Sequence, residues 1–345
     1  MGRISPDALP LRCLSGWRRL VAPLLTLAVV VALPTSAGAT LTNQERAERG
    51  ASFLAFAQKP NGSIPAFSPI GSTADAVLAF VATGVGRRDQ IRSALAYLRR
   101  QVIAGNVVGV GLQGKVVMAA SAAKRDPRDF GGENLLKQIR STIDDDGHMD
   151  DAAVFDQALG MLAIESAGVD PSAKVIGWLH DAQCPDGGWA YDAPYAPATD
   201  DEHCDDGDSD FFTSDSNTTA YVIQAMEAGG AGSFDHDPFS FFDTVRDGDH
   251  GGWAYSTGFL VTDSNSTGLV IQAYASADEP LPSGALDALR DLQYRRCGAW
   301  AFTWDGDART EPDVGATIGA VPGILRTPLP IRGRAGGDVA TPVEC

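Results

Sequence analysis

The second half of this chain repeats itself. Gly187-Gly188-Trp189-Ala190-Tyr191 returns as Gly251-Gly252-Trp253-Ala254-Tyr255 and, with changes, as Gly298-Ala299-Trp300-Ala301-Phe302. Each block is followed by a polar segment that opens an apolar run: Asp215-Ser216-Asn217-Thr218-Thr219, Asp263-Ser264-Asn265-Ser266-Thr267 and Asp313-Val314-Gly315-Ala316-Thr317. Units of this size cannot bury an apolar face alone, so the repeat commits the chain to stacking like units against one another.

Weaker copies lie upstream, where a Gly followed two residues later by a large apolar residue marks the same loop. Six loops are predicted: Gly62/Ile64, Gly105/Val107, Gly147/Met149, Gly187/Trp189, Gly251/Trp253 and Gly298/Trp300, spaced by 43, 42, 40, 64 and 47 residues. Gln58, Gln101, Gln183 and Gln293 precede four of them. Before the last loop, Leu286, Leu289 and Leu292 give one apolar stripe, as on a surface helix. After the loops, residues 76–81, 158–164, 220–226 and 269–275 are apolar nearly all round, as on a helix buried on both sides. Each unit is therefore a helical hairpin with one outer and one inner helix. The expectation is an all-α fold, an α/α toroid of six hairpins whose roughly twelve helices close into an α6/α6 barrel.

The N-terminus reads as an export signal. Arg12, Arg18 and Arg19 precede an apolar stretch over residues 20–33, and Ala37-Gly38-Ala39 supplies a small-residue cleavage pattern. That stretch, interrupted by Pro23, is too short for the ~20 residues a membrane span needs. The expected organisation is a signal peptide over 1–39, cleaved near Ala39, a toroid over 40–330 and a tail over 331–345, with no membrane span in the mature chain. Cleavage removes Arg3, Arg12, Arg18, Arg19 and Asp7, taking the net charge from −17 to −20. Such a surface repels nucleic acid and anionic lipid. Cys184, Cys204, Cys297 and Cys345 remain, an even number that suggests two disulfides in an exported protein. Three connectivities are open; pairing Cys184 with Cys204 and Cys297 with Cys345 is favoured, since the first would staple an acidic insertion and the second would pin the tail. The rival, a metal cluster around His203 and Cys204, lacks any Cys-x-x-Cys or His-x-x-His companion.

Gln183-Cys184-Pro185-Asp186-Gly187-Gly188-Trp189 and Gln293-Tyr294-Arg295-Arg296-Cys297-Gly298-Ala299-Trp300 resemble the Gln-Trp repeat of squalene-hopene cyclases and related α/α toroids, a superfamily that includes prenyltransferase β subunits, thioester domains and the cobalamin carriers. The resemblance spans residues 41–330, with specific motifs from Gln183 onward. Triterpene cyclases carry Asp-x-Asp-Asp-Thr-Ala at the segment matched here by residues 215–220, and their middle Asp protonates an alkene. Here that position is Asn217, whose amide has no acidic proton to give, and Asn265 repeats the substitution. His148, His180, His203, His236 and His250 show no prenyltransferase zinc spacing, and no Cys-Gly-Glu-Gln thioester run is present.

Asp215, Asp263 and Asp313 suit the N-caps of inner helices. Parallel inner helices would also gather Asp215, Asn217, Thr219, Asp263, Asn265, Thr267 and Asp313 around one mouth, a polar ring able to bind a ligand. Tyr191, Tyr255 and Trp304 lie just beyond the loops as further ligand candidates, while Trp189, Trp253 and Trp300 read as structural plugs. Asp205, Asp206, Asp208 and Asp210 offer oxygen ligands to calcium, against the simpler reading of a solvated acidic loop. Asp145 and Asp156, with Asp215, are the candidate acids and bases of an enzyme that cleaves glycans or acts like a terpene cyclase. The leading expectation is an exported, non-catalytic toroid whose mouth binds a small molecule or a cell-envelope partner; the alternatives are that enzyme and a purely structural envelope module.

Overall fold

Helices of two kinds alternate along the chain. The computed structural model describes residues 40–345 apart from 85–87, 151, 193–203, 205–212, 232 and 333–344. The expected signal peptide and the calcium candidates Asp205, Asp206, Asp208 and Asp210 lie outside the described residues. The helices are α1 (Asn43–Ala57), α2 (Pro69–Ala82), α3 (Arg88–Ile103), α4 (Val110–Ala122), α5 (Leu135–Ser141), α6 (Val154–Ser166), α7 (Ala173–Asp181), α8 (Ser216–Ala228), α9 (Pro238–Thr244), α10 (Ser264–Ser276), α11 (Ala285–Asp291) and α12 (Val314–Ile324). Odd-numbered helices bury one stripe, such as Ala94, Leu95, Leu98 and Val102 on α3; even-numbered helices are buried almost throughout, as α2 is from Gly71 to Ala82 with one partly open position, Asp75. Helix α2 packs on α4, α4 on α6, α6 on α8, α8 on α10, α10 on α12 and α12 back on α2, while α1 packs outside α12. The apolar surface of six hairpins is thereby closed into one ring. No helix among the described residues is long and apolar enough to cross a membrane.

The predicted loops are the joints of this ring. All six loop glycines have positive φ, from +71° at Gly105 to +96° at Gly147. At Gly187 a Cβ would stand 2.4 Å from the Asp237 carbonyl oxygen of α9's cap, and at Gly298 it would stand 2.4 Å from Cβ of Arg49 on α1. Trp189, Trp253 and Trp300 are fully buried. Their indole N–H groups donate to the carbonyls of Leu179 (2.7 Å), Phe242 (3.0 Å) and Leu289 (2.7 Å) at the end of the preceding outer helix. Their backbone N–H groups donate to the hydroxyls of Thr219, Thr267 and Thr317 on the following inner helix. Ile64 uses Thr73 in the same way, and Met149 uses the Gln157 amide oxygen. The side-chain amides of Gln58, Gln183 and Gln293 each donate to the carbonyl of their loop glycine and to a carbonyl in or just before the next outer helix, that of Gln90 in α3, His236 before α9 and Arg46 in α1. Gln101 departs from the pattern and accepts from Asn106 instead.

Because Gln293 and Gly298 meet α1 as their counterparts meet α3 and α9, the seam between last and first repeats is built like the internal joints. Gly298→Ala should therefore cost more than Gly230→Ala, whose φ is also positive (+71°) but whose Cβ would meet nothing within 4 Å. The common backbone cost is about 1 kcal/mol, with the clash adding about 1–3 kcal/mol at Gly298 only. Urea unfolding of the two variants measures the difference.

The last loop adds extended backbone to the otherwise helical fold. Strand β1 (Trp300–Ala301) pairs antiparallel with β4 (Pro312–Asp313), and β2 (Trp304–Asp305) pairs with β3 (Ala308–Arg309). Disulfides join Cys184 to Cys204 and Cys297 to Cys345.

Candidate functional site

Parallel inner helices bring their N-termini to one end of the ring, the mouth. There Asp215 accepts from the N–H groups of Asn217 and Thr218, Asp263 from Ser266 and Asp313 from Ala316. Asp215 and Asp263 are 1% and 5% exposed and turn into the caps of their own helices. Burial pushes both carboxyls up to about 6, against the lowering effect of the hydrogen bonds they accept. Thr219 and Thr267 are spent on the tryptophan N–H groups. None of these lines the space inside the ring.

That space is an axial cavity of about 280 Å³. On α4, α6, α8, α10 and α12 the residues that face it come mainly from positions two, six and nine after the cap, the i, i+4, i+7 stripe of a helix, while α2 presents Ser72, Asp75 and Leu78, four, seven and ten after its cap Ser68. The outermost level holds Phe155, Asn217, Asn265 and Gly315; the next holds Lys115, Tyr221, Leu269 and Gly319, with Asp75 from α2; the deepest holds Met118, Gln272 and Pro322, with Leu78. Leu329 and Ile331, from the segment after α12, also line it, and the Leu329 N–H donates to the Gln224 side chain at 2.9 Å. Part of the expected tail thus belongs to the cavity wall.

The chemistry gathers on one side. Lys115 Nζ lies 2.7 Å from a carboxylate oxygen of Asp75, with the two side chains only 19% and 24% exposed. Burial alone would lower the Lys115 ammonium, but Asp75, aided by Tyr221 and Asp156, outweighs it and holds the ammonium above its ordinary range. Burial pushes the Tyr221 phenol up to about 12. Phe155 packs edge-on to Tyr221 at 5.1 Å, lies 5.5 Å from the Tyr191 ring and has Lys115 Nζ 6.0 Å from its centroid. Asp156 follows on α6; burial raises its carboxyl, Lys115 opposes and Asp192 adds. It sits against Gly111, where a Cβ would collide with its carboxylate.

Of the residues singled out by sequence, Asn217 and Asn265 come together in the cavity, Tyr191 and Asp156 lie beside its polar side, and the rest are elsewhere. Asp145 is in an exposed turn with Asp144 and Asp146. Tyr255 is exposed, and Trp304 stacks on His250 at 4.7 Å, outside the cavity lining. No group of three or more metal-binding side chains occurs among the described residues. Asp75, Lys115 and Tyr221 were missed by reasoning from the repeats alone. Their signal was present: Asp75 and Lys115 are the only charged residues in α2 and α4, two helices that are otherwise uncharged and mostly apolar or small.

No protein-family profile matches the sequence, and no curated protein matches it either. Solved structures do match by shape. The GH76A α-1,6-mannanase of Salegentibacter sp. HEL1_6 superposes with a TM-score of 0.53 at 13% identity, over 83% of this chain and 98% of that one. The type II terpene cyclase MstE from Scytonema gives 0.54 at 12% identity, over 82% and 97%. A protein from Actinoplanes gives 0.52 at 15%, over 83% and 99%. At these identities the likeness establishes the α/α-toroid fold.

Proposed function

We propose that this chain is an exported α/α-toroid protein, kin to the Gln-Trp repeat proteins, that binds a small uncharged amphiphile in its axial cavity. The observation that carries this reading is the cavity's division. Leu78, Met118, Leu269, Ile318, Pro322, Leu329 and Ile331 offer an apolar wall, while the Asp75–Lys115 pair, Tyr221, Asn217, Asn265 and Gln272 offer both donors and acceptors. The pair is neutral as a unit, so a hydroxyl, carbonyl or amide head group meets its needs without bringing an unpaired charge into a buried site. The volume is near the lower end of ligand pockets, which suits a compact ligand. Export is supported by the two disulfides and by the reading of residues 1–39.

A carboxylic acid facing a cyclase substrate is not supported at the cap positions, since Asn217 and Asn265 take the cavity-facing places while Asp215 and Asp263 are turned into caps. Asp156 favours a second reading, in which its raised carboxyl acts as an acid on a ligand held near Tyr191 and Phe155. Native mass spectrometry of the secreted protein from its own host tests the first reading. A small molecule that leaves on denaturation is expected; an empty protein that converts an added glycan or isoprenoid, and loses that turnover as Asp156→Asn, would replace binding by catalysis.

A further inference from the structure

The large apolar side chains left in water are not scattered. Eight are more than a third exposed among the described residues, and all eight lie at the mouth, on loops that enter inner helices or at the ends of outer helices; none lies at the opposite end. Phe67 is 85% exposed, Phe259 73%, Val108 72%, Ile103 63%, Leu260 45% and Phe302 40%. They sit before α2, α4, α10 and α12, which are neighbours in the ring, so they form one sector rather than a halo. The sequence around them is uncharged: residues 60–74, 101–114, 251–262 and 297–304 hold no Asp, Glu, Lys or Arg in a chain that is 21% charged. The next part of the mouth, before α6, is acidic with Asp144, Asp145, Asp146 and Asp150.

An exposed apolar surface of this extent marks an interaction site. We infer that this sector docks on an uncharged or zwitterionic lipid surface, from which the axial cavity takes its amphiphile. Separate side chains projecting from several loops suit partial insertion among head groups. The chain's net charge of −17 and the acidic neighbour sector set it against anionic membranes. Continuity points the same way. Phe67 belongs to both the exposed sector and the cavity lining, with its ring against Gly315, where a Cβ would stand 3.2 Å away. An amphiphile leaving a bilayer there would pass Phe67 to reach the apolar wall that Leu269, Ile318 and Leu329 give the cavity. The loading step rests on the cavity reading; the docking does not.

Flotation of the disulfide-intact protein with phosphatidylcholine vesicles tests this. The protein should float with the vesicles, and Phe67→Glu/Phe259→Glu should float at least tenfold less while keeping its unfolding midpoint, since both side chains are exposed. Leu269→Trp, or Ile318→Trp should that variant fail to fold, fills the cavity and should still float while losing binding of a soluble amphiphile. No flotation with phosphatidylcholine, equal flotation of the double variant, or binding confined to phosphatidylglycerol vesicles would each overturn the docking. Flotation by a protein whose cavity takes up no amphiphile would keep the docking and sink only the cavity reading.

Discussion

Replacing Trp300 by alanine is expected to remove about 3–5 kcal/mol of unfolding free energy, the range for a large aromatic taken from a packed core. The side chain is fully buried, and its ring fills space over Gly50 of α1, where a Cβ would stand 2.6 Å from it. Truncation also strands the Leu289 carbonyl that accepts its indole N–H. Since Trp300 closes the last repeat on the first, the loss should appear as cooperative destabilisation of the whole ring. Against the 5–15 kcal/mol of a typical domain it is a large fraction. Trp304, half-buried and stacked on His250, should cost about 1 kcal/mol or less as Trp304→Ala. Urea titrations of both variants with disulfides intact compare plug with non-plug directly.

Asp215→Asn and Asp263→Asn are expected to stabilise the protein at neutral pH. Both carboxyls are raised to about 6 by burial, from an unfolded value near 4. The folded state therefore binds more protons than the unfolded one between those values, and stability falls as pH rises through that window. Each site costs about 2–3 kcal/mol above it, from about 1.4 kcal/mol per pH unit. Asparagine caps a helix as well as aspartate does, so the amide keeps the N–H bonds and removes the buried charge. Asp247 acts with the opposite sign. Burial would raise it, but the N–H groups of Thr262 and Asp249, with the side chains of His250 and Thr262, outweigh burial and hold it at about 2. Its contribution is present above pH 4 and is lost as pH falls toward 2. Stability should peak near pH 4–5 in the parent, and the double variant should lose most of the fall between pH 4 and 6.

The ring was legible because its joints are chemically expensive to vary. A loop glycine at positive φ pressed on the next outer helix, an aromatic plug, and a threonine one turn into the inner helix all leave fixed spacings in the sequence. The cap aspartates were legible for the same reason. The cavity was not, because its lining comes from one to four inward-facing positions on each of six different helices, and only closure of the ring brings them together. Asn217 and Asn265 were found through their place in a repeated motif. Asp75 and Lys115, 40 residues apart, carry no motif, and their pairing follows from the packing of α2 on α4. What marks them in sequence is a lone charge within an otherwise uncharged helix, which needs a partner across the interface or water in a cavity. Here it has both a partner and a cavity.

Calorimetric titration of the disulfide-intact protein with a neutral medium-chain alcohol such as 1-decanol, beside decanoate and decane, tests whether the axial cavity binds an uncharged amphiphile. Saturable one-to-one binding of the alcohol is expected, with weaker binding of the charged and headless analogues, loss of binding in Leu269→Trp, and loss of the preference for the alcohol in the neutral double variant Asp75→Asn/Lys115→Met. Equal affinity of parent and cavity-filled protein for all three probes would contradict it.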